Sequence, residues 1–252
     1  HQNDHHCYEG PKDVVPKFKD YPLPDDLTFL KGDYKEMYPD YMAAINSLDS
    51  NVGRLVEKLK EKGLYDNTVI IYTSDHGSHF KTRNLEYKRS CHDSATHTPL
   101  IIEGGAFKGG KVDSRLVSLI DLPPTLLDIA GIDIPDSYMG KSLLKELETG
   151  EERDCVFMQI SESQCGRAIR TKKYKYAIRT LAPTGYALHK ASVYFEDYLY
   201  DLEKDPIEKH NLIKDPKYAS ERKKLKEMLI REMTAAGEKE PKILPAVFTR
   251  KK

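Results

Sequence analysis

The chain has 252 residues, with forty Lys and Arg against forty Asp and Glu, so its formal net charge is zero. That balance leaves no global field to recruit nucleic acid or an anionic membrane, and no apolar stretch approaches the ~18 residues that a membrane-spanning helix needs. A charged fraction of 32% predicts a soluble chain, long enough to bury one large domain or one domain with a smaller partner.

Residues 1–33 are rich in Pro and Asp, and Pro11, Pro16, Pro22 and Pro24 interrupt any regular element. Tyr21–Asp26 reads as an extended surface loop. A helix follows, because Tyr41, Ile45, Leu48, Val52, Leu55, Val56 and Leu59 recur at three- and four-residue spacing. Gly63 stops it. Thr68-Val-Ile-Ile-Tyr-Thr73 is an unbroken, β-branched apolar run, which predicts a strand buried on both faces within a parallel sheet.

Ser74-Asp75-His76-Gly77 comes directly after that strand. In open α/β sheets the carboxyl ends of strands are where ligands bind. An Asp-His pair delivered there, before a Gly that lets the backbone turn, is an oxygen-plus-nitrogen donor set for a divalent cation. The bland alternative is an Asp that opens a turn beside an exposed His.

Pro99-Leu-Ile-Ile102 predicts the next buried strand, and Gly104-Gly105 and Gly109-Gly110 predict turns. Pro123-Pro124 opens a helix that ends at Gly131. Residues 145–154 are charged and turn-like and mark a subdomain boundary. Beyond them, Val156–Ile160, Arg167–Arg170, Tyr174–Ile178 and Tyr194–Tyr200 are short, half-polar and aromatic, which predicts antiparallel strands with one solvated face. A final helix spans 217–236, with Leu225, Met228, Leu229 and Met233 on one face, and the residues after Gly237 read as a tail. The four cysteines, Cys7, Cys91, Cys155 and Cys165, form no C-x-x-C pair and are expected to be free buried thiols.

Lys88 lies 13 residues after Asp75 and is followed by Cys91-His-Asp-Ser-Ala-Thr-His-Thr-Pro-Leu-Ile-Ile102. An S-D-[HN]-G turn, a Lys at this distance, an acidic residue (Asp93) and an R/H-x-P-L-I strand (His97-Thr98-Pro99-Leu100-Ile101) together resemble the sulfatase family of the alkaline phosphatase superfamily. Asp49–Val56, Gly63–Val69, Val117–Gly131, and Tyr198–Pro206 with Asn211-Leu212 resemble further landmarks of that family, so the likeness runs along nearly the whole chain. It implies an α/β fold. Residues 1–147 would form part of the central sheet with flanking helices, the C-terminal part of the catalytic domain. Residues 148–252 would form an antiparallel β subdomain with a terminal helix.

The resemblance also assigns chemistry. Asp75 and His76 become metal ligands, with Ca²⁺ the expected divalent cation. Lys88 contacts the ester oxygens. His1 resembles a His that approaches the leaving group as an acid. His79 and Arg83 are expected to contact a sulfated small molecule or sugar, a role that Arg89 shares. His5 and His6 are expected at the surface, and His92 and His97 as hydrogen-bonded structural residues. None of the cysteines or serines sits in a C-x-P-x-R or S-x-A-x-R motif, the source of the family's formylglycine nucleophile. The expectation is therefore a C-terminal half of a sulfuric ester hydrolase. Formylglycine and the other metal carboxylates would come from an N-terminal half, and these residues alone would be inactive and prone to self-association. A phosphodiesterase or phosphonate hydrolase of the same superfamily, or a non-catalytic module, is the alternative.

Overall fold

A computed structural model describes residues 8–182 and 187–247. His1, His5, His6 and Cys7 lie outside the described residues. The chain divides into two compact units. One comprises His1–Lys88 with His97–Gly109, and the other Arg89–Thr96 with Gly110–Lys252.

The first unit is built on helix α1 (Tyr34–Glu61). Its C-terminus closes as predicted at Gly63, whose φ is +63°. The Gly63 N–H donates to Lys60 and the Leu64 N–H to Leu59, a pair of reversed bonds that satisfies the last carbonyls of the helix. The apolar stripe is used only in part. Tyr41, Ile45, Val52, Val56 and Leu59 are half-buried, whereas Leu48 and Leu55 are 53% and 67% exposed, and the buried Tyr34, Met37 and Tyr38, which pack with Phe80, lie N-terminal to the stripe.

Strand β1 (Ile70–Thr73) follows a short turn, and β2 (Leu100–Glu103) pairs with it. The pairing is antiparallel, Ile70 opposite Glu103 and Thr73 opposite Leu100. This corrects the expectation of a strand buried in a parallel sheet. Among the described residues the two strands have only each other, so both are half-buried, and Ile101 is 62% exposed. An apolar run specifies a strand but says nothing of its partner's direction. Gly104 ends β2 at φ +107°, and a Cβ there would lie 2.2 Å from the Thr68 carbonyl oxygen, so only Gly fits.

The second unit contains α2 (Leu122–Ile129), α3 (Leu143–Thr149), a five-stranded sheet and α4 (Ala219–Ala235). Buried Asp121 ties the helices down. Its carboxylate accepts from the Ser118 N–H (2.7 Å) and the Lys141 N–H (2.9 Å) and pairs with Arg153 at 2.8 Å. The sheet runs in the order β3 (Val156–Glu162), β4 (Gln164–Arg170), β5 (Tyr174–Arg179), β6 (Val193–Asp201) and β7 (Lys242–Leu244). The first four are antiparallel. β7 lies parallel to β6, so the residues read as a tail contribute an edge strand.

Alternation along β4–β6 feeds two cores. Ile169, Tyr176, Ile178 and Leu199 meet Leu225, Leu229 and Met233 of α4. Ala168, Ala177, Tyr198 and Tyr200 pack with Cys91 on the other face. The sheet therefore lacks the solvated face expected of it, because the segment Arg89–Thr96 covers that side. Cys91, Cys155 and Cys165 are free and buried, as expected.

A buried ion cluster fastens the covering segment. Lys175 is fully buried, and its ammonium pairs with Asp93 and, at 2.6 Å, with Glu208. Arg170 adds a second cation to Asp93 at 3.3 Å, and the Asp93 N–H donates to Glu208 at 2.8 Å. Burial works to raise the Asp93 pKa, but Lys175 and Arg170 outweigh it and hold the carboxyl below the usual range. Burial raises the Glu208 pKa, with Lys175 opposing. Removing one member of such a cluster strands buried charge. Lys175→Met is therefore expected to cost about 3–5 kcal/mol of stability in urea unfolding. A loss below about 1 kcal/mol, the scale of an exposed pair, would show that the cluster holds nothing together.

Candidate active site

β1 ends at Thr73, and the chain then turns through Ser74-Asp75-His76-Gly77. The Ser74 hydroxyl donates to the His76 carbonyl (3.0 Å), and the His76 N–H donates to Asp75 Oδ1 (2.9 Å), which fixes the turn from within. The His76 ring is oriented at both nitrogens. Nδ1 lies 2.9 Å from the Gly77 carbonyl and Nε2 lies 2.8 Å from Lys88 Nζ. A carbonyl only accepts and an ammonium only donates, so the network assigns the proton to Nδ1 and leaves the Nε2 lone pair facing Lys88.

Asp75 Oδ2 lies 3.3 Å from that same Nε2, and the Asp75 side chain is 81% exposed. Two lone-pair atoms this close repel unless a cation lies between or beside them, and here the Lys88 ammonium supplies the charge. The same pair fits a divalent ion. At Ca²⁺–oxygen distances of about 2.3–2.6 Å, donors at right angles lie about 3.3–3.7 Å apart. A neutral imidazole whose Nδ1–H is held by a backbone carbonyl is the usual arrangement of a metal-binding His. Asp75 and His76 make a partial set, since a hard cation takes six to eight ligands.

Lys88 is delivered by the loop 77–88. His79 at its start is fully buried, with Nε2 on the Lys88 carbonyl at 3.0 Å, and the Asn84 amide donates to the same oxygen at 3.0 Å. His79, expected to contact substrate, is thus turned inward and has no exposed surface for that contact. Burial pushes its pKa down, with the hydrogen bond to Lys88 opposing. Arg83 is half-buried with its guanidinium over the Phe29 ring, 5.3 Å from the centroid. Phe80 anchors the loop in the aromatic cluster of Tyr8, Tyr38 and Tyr41. Phe80 and Lys81 both have positive φ, +47° and +58°. Gly32 is required beside them, because a Cβ there would sit 2.3 Å from the Phe80 carbonyl oxygen.

Residues outside this constellation fall elsewhere. His92 is buried, bonded to Ser90 Oγ (3.1 Å) and Tyr200 OH (3.3 Å) as a structural histidine, whereas His97 is exposed. Arg89 pairs with Glu162 at 2.8 Å. Asp154, Cys155 and Glu232 bring donor atoms within 4.8 Å of one another, but Arg231 bridges the two carboxylates at 2.9 and 2.8 Å. Burial pushes the Cys155 thiol up to about 12, so the group is an ion-paired cluster beside a protonated thiol. Asn84 escaped the sequence reading because an amide in a loop carries no periodic signal.

The sulfatase family profile matches residues 1–132, and that of the N-sulphoglucosamine sulphohydrolase C-terminal region matches residues 83–235. The chain belongs to the sulfatase family. It is 31% identical over 202 residues to an N-acetylglucosamine-6-O-sulfatase of Bacteroides thetaiotaomicron, covering 78% of this chain and 35% of that protein. A solved protein in complex with its substrate D-glucosamine-2-N,6-O-disulfate superposes with a TM-score of 0.72 at 28% identity, over 84% of this chain and 44% of the other. The phosphonate monoester hydrolase of Agrobacterium radiobacter gives a TM-score of 0.67 at 29% identity, over 82% and 42%. The chain spans between 22% and 40% of the curated relatives it matches. Members of the family generally bind a divalent metal.

The His79 environment has a measurable consequence. Its folded pKa lies below the ordinary 6.5, with Arg83 lowering it further and Glu86 and the Lys88 carbonyl opposing. As pH falls below about 6.5 the unfolded chain takes the proton first, so the stability from a neutral buried His79 is present above 6.5 and is lost progressively as pH falls toward the lower folded value. Between about pH 7.5 and 5, wild-type protein is expected to lose more stability than His79→Gln in urea unfolding. Equal losses would show that His79 is not held neutral.

Proposed function

We propose that this chain contributes one side of the active site of a sulfuric ester hydrolase. The observation that carries the reading is the meeting of Asp75, His76 and Lys88 at the end of β1, in a chain of the sulfatase family. Asp75 Oδ2 and His76 Nε2 would hold a divalent cation, Ca²⁺ by the family's habit. When bound, it polarises the ester oxygens and orients the nucleophile. The Lys88 ammonium then turns from His76 to the ester oxygens, where a fixed positive charge stabilises the negative charge that develops. His1, outside the described residues, is assigned the proton for the leaving group. Arg83 is assigned to the anionic part of the substrate.

The nucleophile, a formylglycine by the family's pattern, and the remaining metal carboxylates belong to the rest of the protein, N-terminal to these residues. That same part is the proposed cover for Leu48, Leu55 and Ile101, whose exposed apolar surface would otherwise favour self-association. The division at 147/148 into a catalytic α/β part and a C-terminal β subdomain is part of this reading. The substrate class is a sulfated sugar, supported by the name of a curated relative and by the glucosamine disulfate substrate of a solved neighbour. The likeness to a phosphonate monoester hydrolase supports a second reading, in which the same cations serve a phosphonate ester. Rates of the full-length protein on an aryl sulfate and an aryl phosphonate decide between them. The proposal requires the sulfate to be the better substrate.

Two variants of the full-length protein separate the assigned roles. Asp75→Ala is expected to lose both bound divalent metal and turnover. Lys88→Ala is expected to lower turnover by roughly 10², the scale of one oxyanion-stabilising donor, while metal content stays at the wild-type level. Retained metal and normal turnover in Asp75→Ala, or unchanged kinetics in Lys88→Ala, would contradict the assignments. The 252 residues alone are expected to be inactive on the aryl sulfate and to associate in sedimentation experiments. Turnover by a monomer of this chain would contradict that expectation.

A further inference from the structure

His79 uses all but one of its polar groups to close the loop that carries Lys88. Its N–H donates to the Tyr87 carbonyl at 2.9 Å. Its carbonyl accepts from the Thr82 N–H at 2.8 Å and from Thr82 Oγ1 at 2.6 Å. Its Nε2 meets the Lys88 carbonyl at 3.0 Å. That oxygen only accepts, so Nε2 carries the proton and Nδ1 is a bare lone pair. Nδ1 is buried and has no hydrogen-bond partner among the described residues.

An orphaned buried acceptor is unfavourable, and an aliphatic side chain would fill the same space without one. What the imidazole offers in return is a donor placed on Lys88. Asn84 Nδ2 supplies the second donor to the same oxygen at 3.0 Å, so two N–H groups hold the base of Lys88 while its tip rests 2.8 Å from His76 Nε2. The whole arrangement lies within one unit of the fold.

We propose that His79 is a positioning residue, whose Nε2–H, together with the Asn84 amide, fixes the Lys88 backbone so that the ammonium is held at His76. The role rests on the assignment of Lys88 as the ester-binding cation. It replaces direct substrate contact by His79.

The test uses the full-length protein and the variants His79→Gln, His79→Leu and Asn84→Ala. Gln can place an amide N–H where Nε2–H was, and Leu cannot. One readout needs no substrate: the rate at which acetic anhydride acylates Lys88 relative to the other lysines, followed by peptide mass spectrometry. The other is kcat and KM on an aryl sulfate. His79→Leu is expected to raise Lys88 acylation several-fold and to lower kcat by roughly 10², the scale of a misplaced catalytic group, with KM changed much less. His79→Gln is expected to restore both toward wild type. Wild-type acylation of Lys88 in His79→Leu, or equal impairment in the Gln and Leu variants, would overturn the proposal. Should His79→Leu not fold, Asn84→Ala decides, since unchanged Lys88 acylation there also overturns it. If the full-length protein turns over no sulfate ester, the functional reading fails while the acylation rates still decide whether His79 positions Lys88.

Discussion

The Lys88 ammonium and the His76 Nε2 lone pair meet 2.8 Å apart, and the local structure on both sides is arranged to keep them there. On one side, β1 ends in a turn whose own hydrogen bonds orient the imidazole. Its Nδ1–H is committed to the Gly77 carbonyl, so the lone pair has one direction to face. On the other, a closed loop returns the chain to Lys88 with its carbonyl held by two donors. Asp75 beside this contact adds a carboxylate without closing the site, because it is largely exposed. A carboxylate, an imidazole lone pair and an ammonium therefore share one place at the end of β1.

The loop is held under strain. Phe80 and Lys81 both have positive φ, a conformation that costs about 1–3 kcal/mol for a residue other than Gly. Such geometry persists only where the surroundings over-determine it. Here those surroundings are the aromatic cluster around Phe80, the Asp33 N–H on the Phe80 carbonyl at 3.1 Å, and the Lys81–Asp33 pair at 3.1 Å. In the other unit a comparable task falls to buried charge, where Lys175 binds Asp93 to the face of the sheet.

Much of this was legible in the residues, and the failures have physical causes. The spacing from Asp75 to Lys88 pointed to one site because the family resemblance supplied the pairing that spacing alone lacks. The Gly63 helix end, the α4 face of Leu225, Leu229 and Met233, and the free buried thiols followed from local rules. The direction of β2 did not, since an apolar run is the same in either orientation. The doubly buried sheet was also hidden. Tyr198 and Tyr200 look half-polar in sequence, yet they bury their rings beside Cys91 and His92. The Asp93–Lys175 pair joins residues 82 apart and leaves no periodic trace. A loop histidine near a ligand turn has no pattern to distinguish an inward ring from an outward one, so the burial of His79 has no trace in the sequence.

The most direct measurement of the central claim is a crystal structure of the full-length protein grown with Ca²⁺ and a non-hydrolysable sulfate ester analogue. The ion is expected to be bound by Asp75 and His76 Nε2 together with carboxylates from elsewhere in the protein, and Lys88 Nζ to have moved from His76 onto an oxygen of the analogue. An ion bound elsewhere, with Asp75 left in solvent and Lys88 Nζ still against His76, would contradict it.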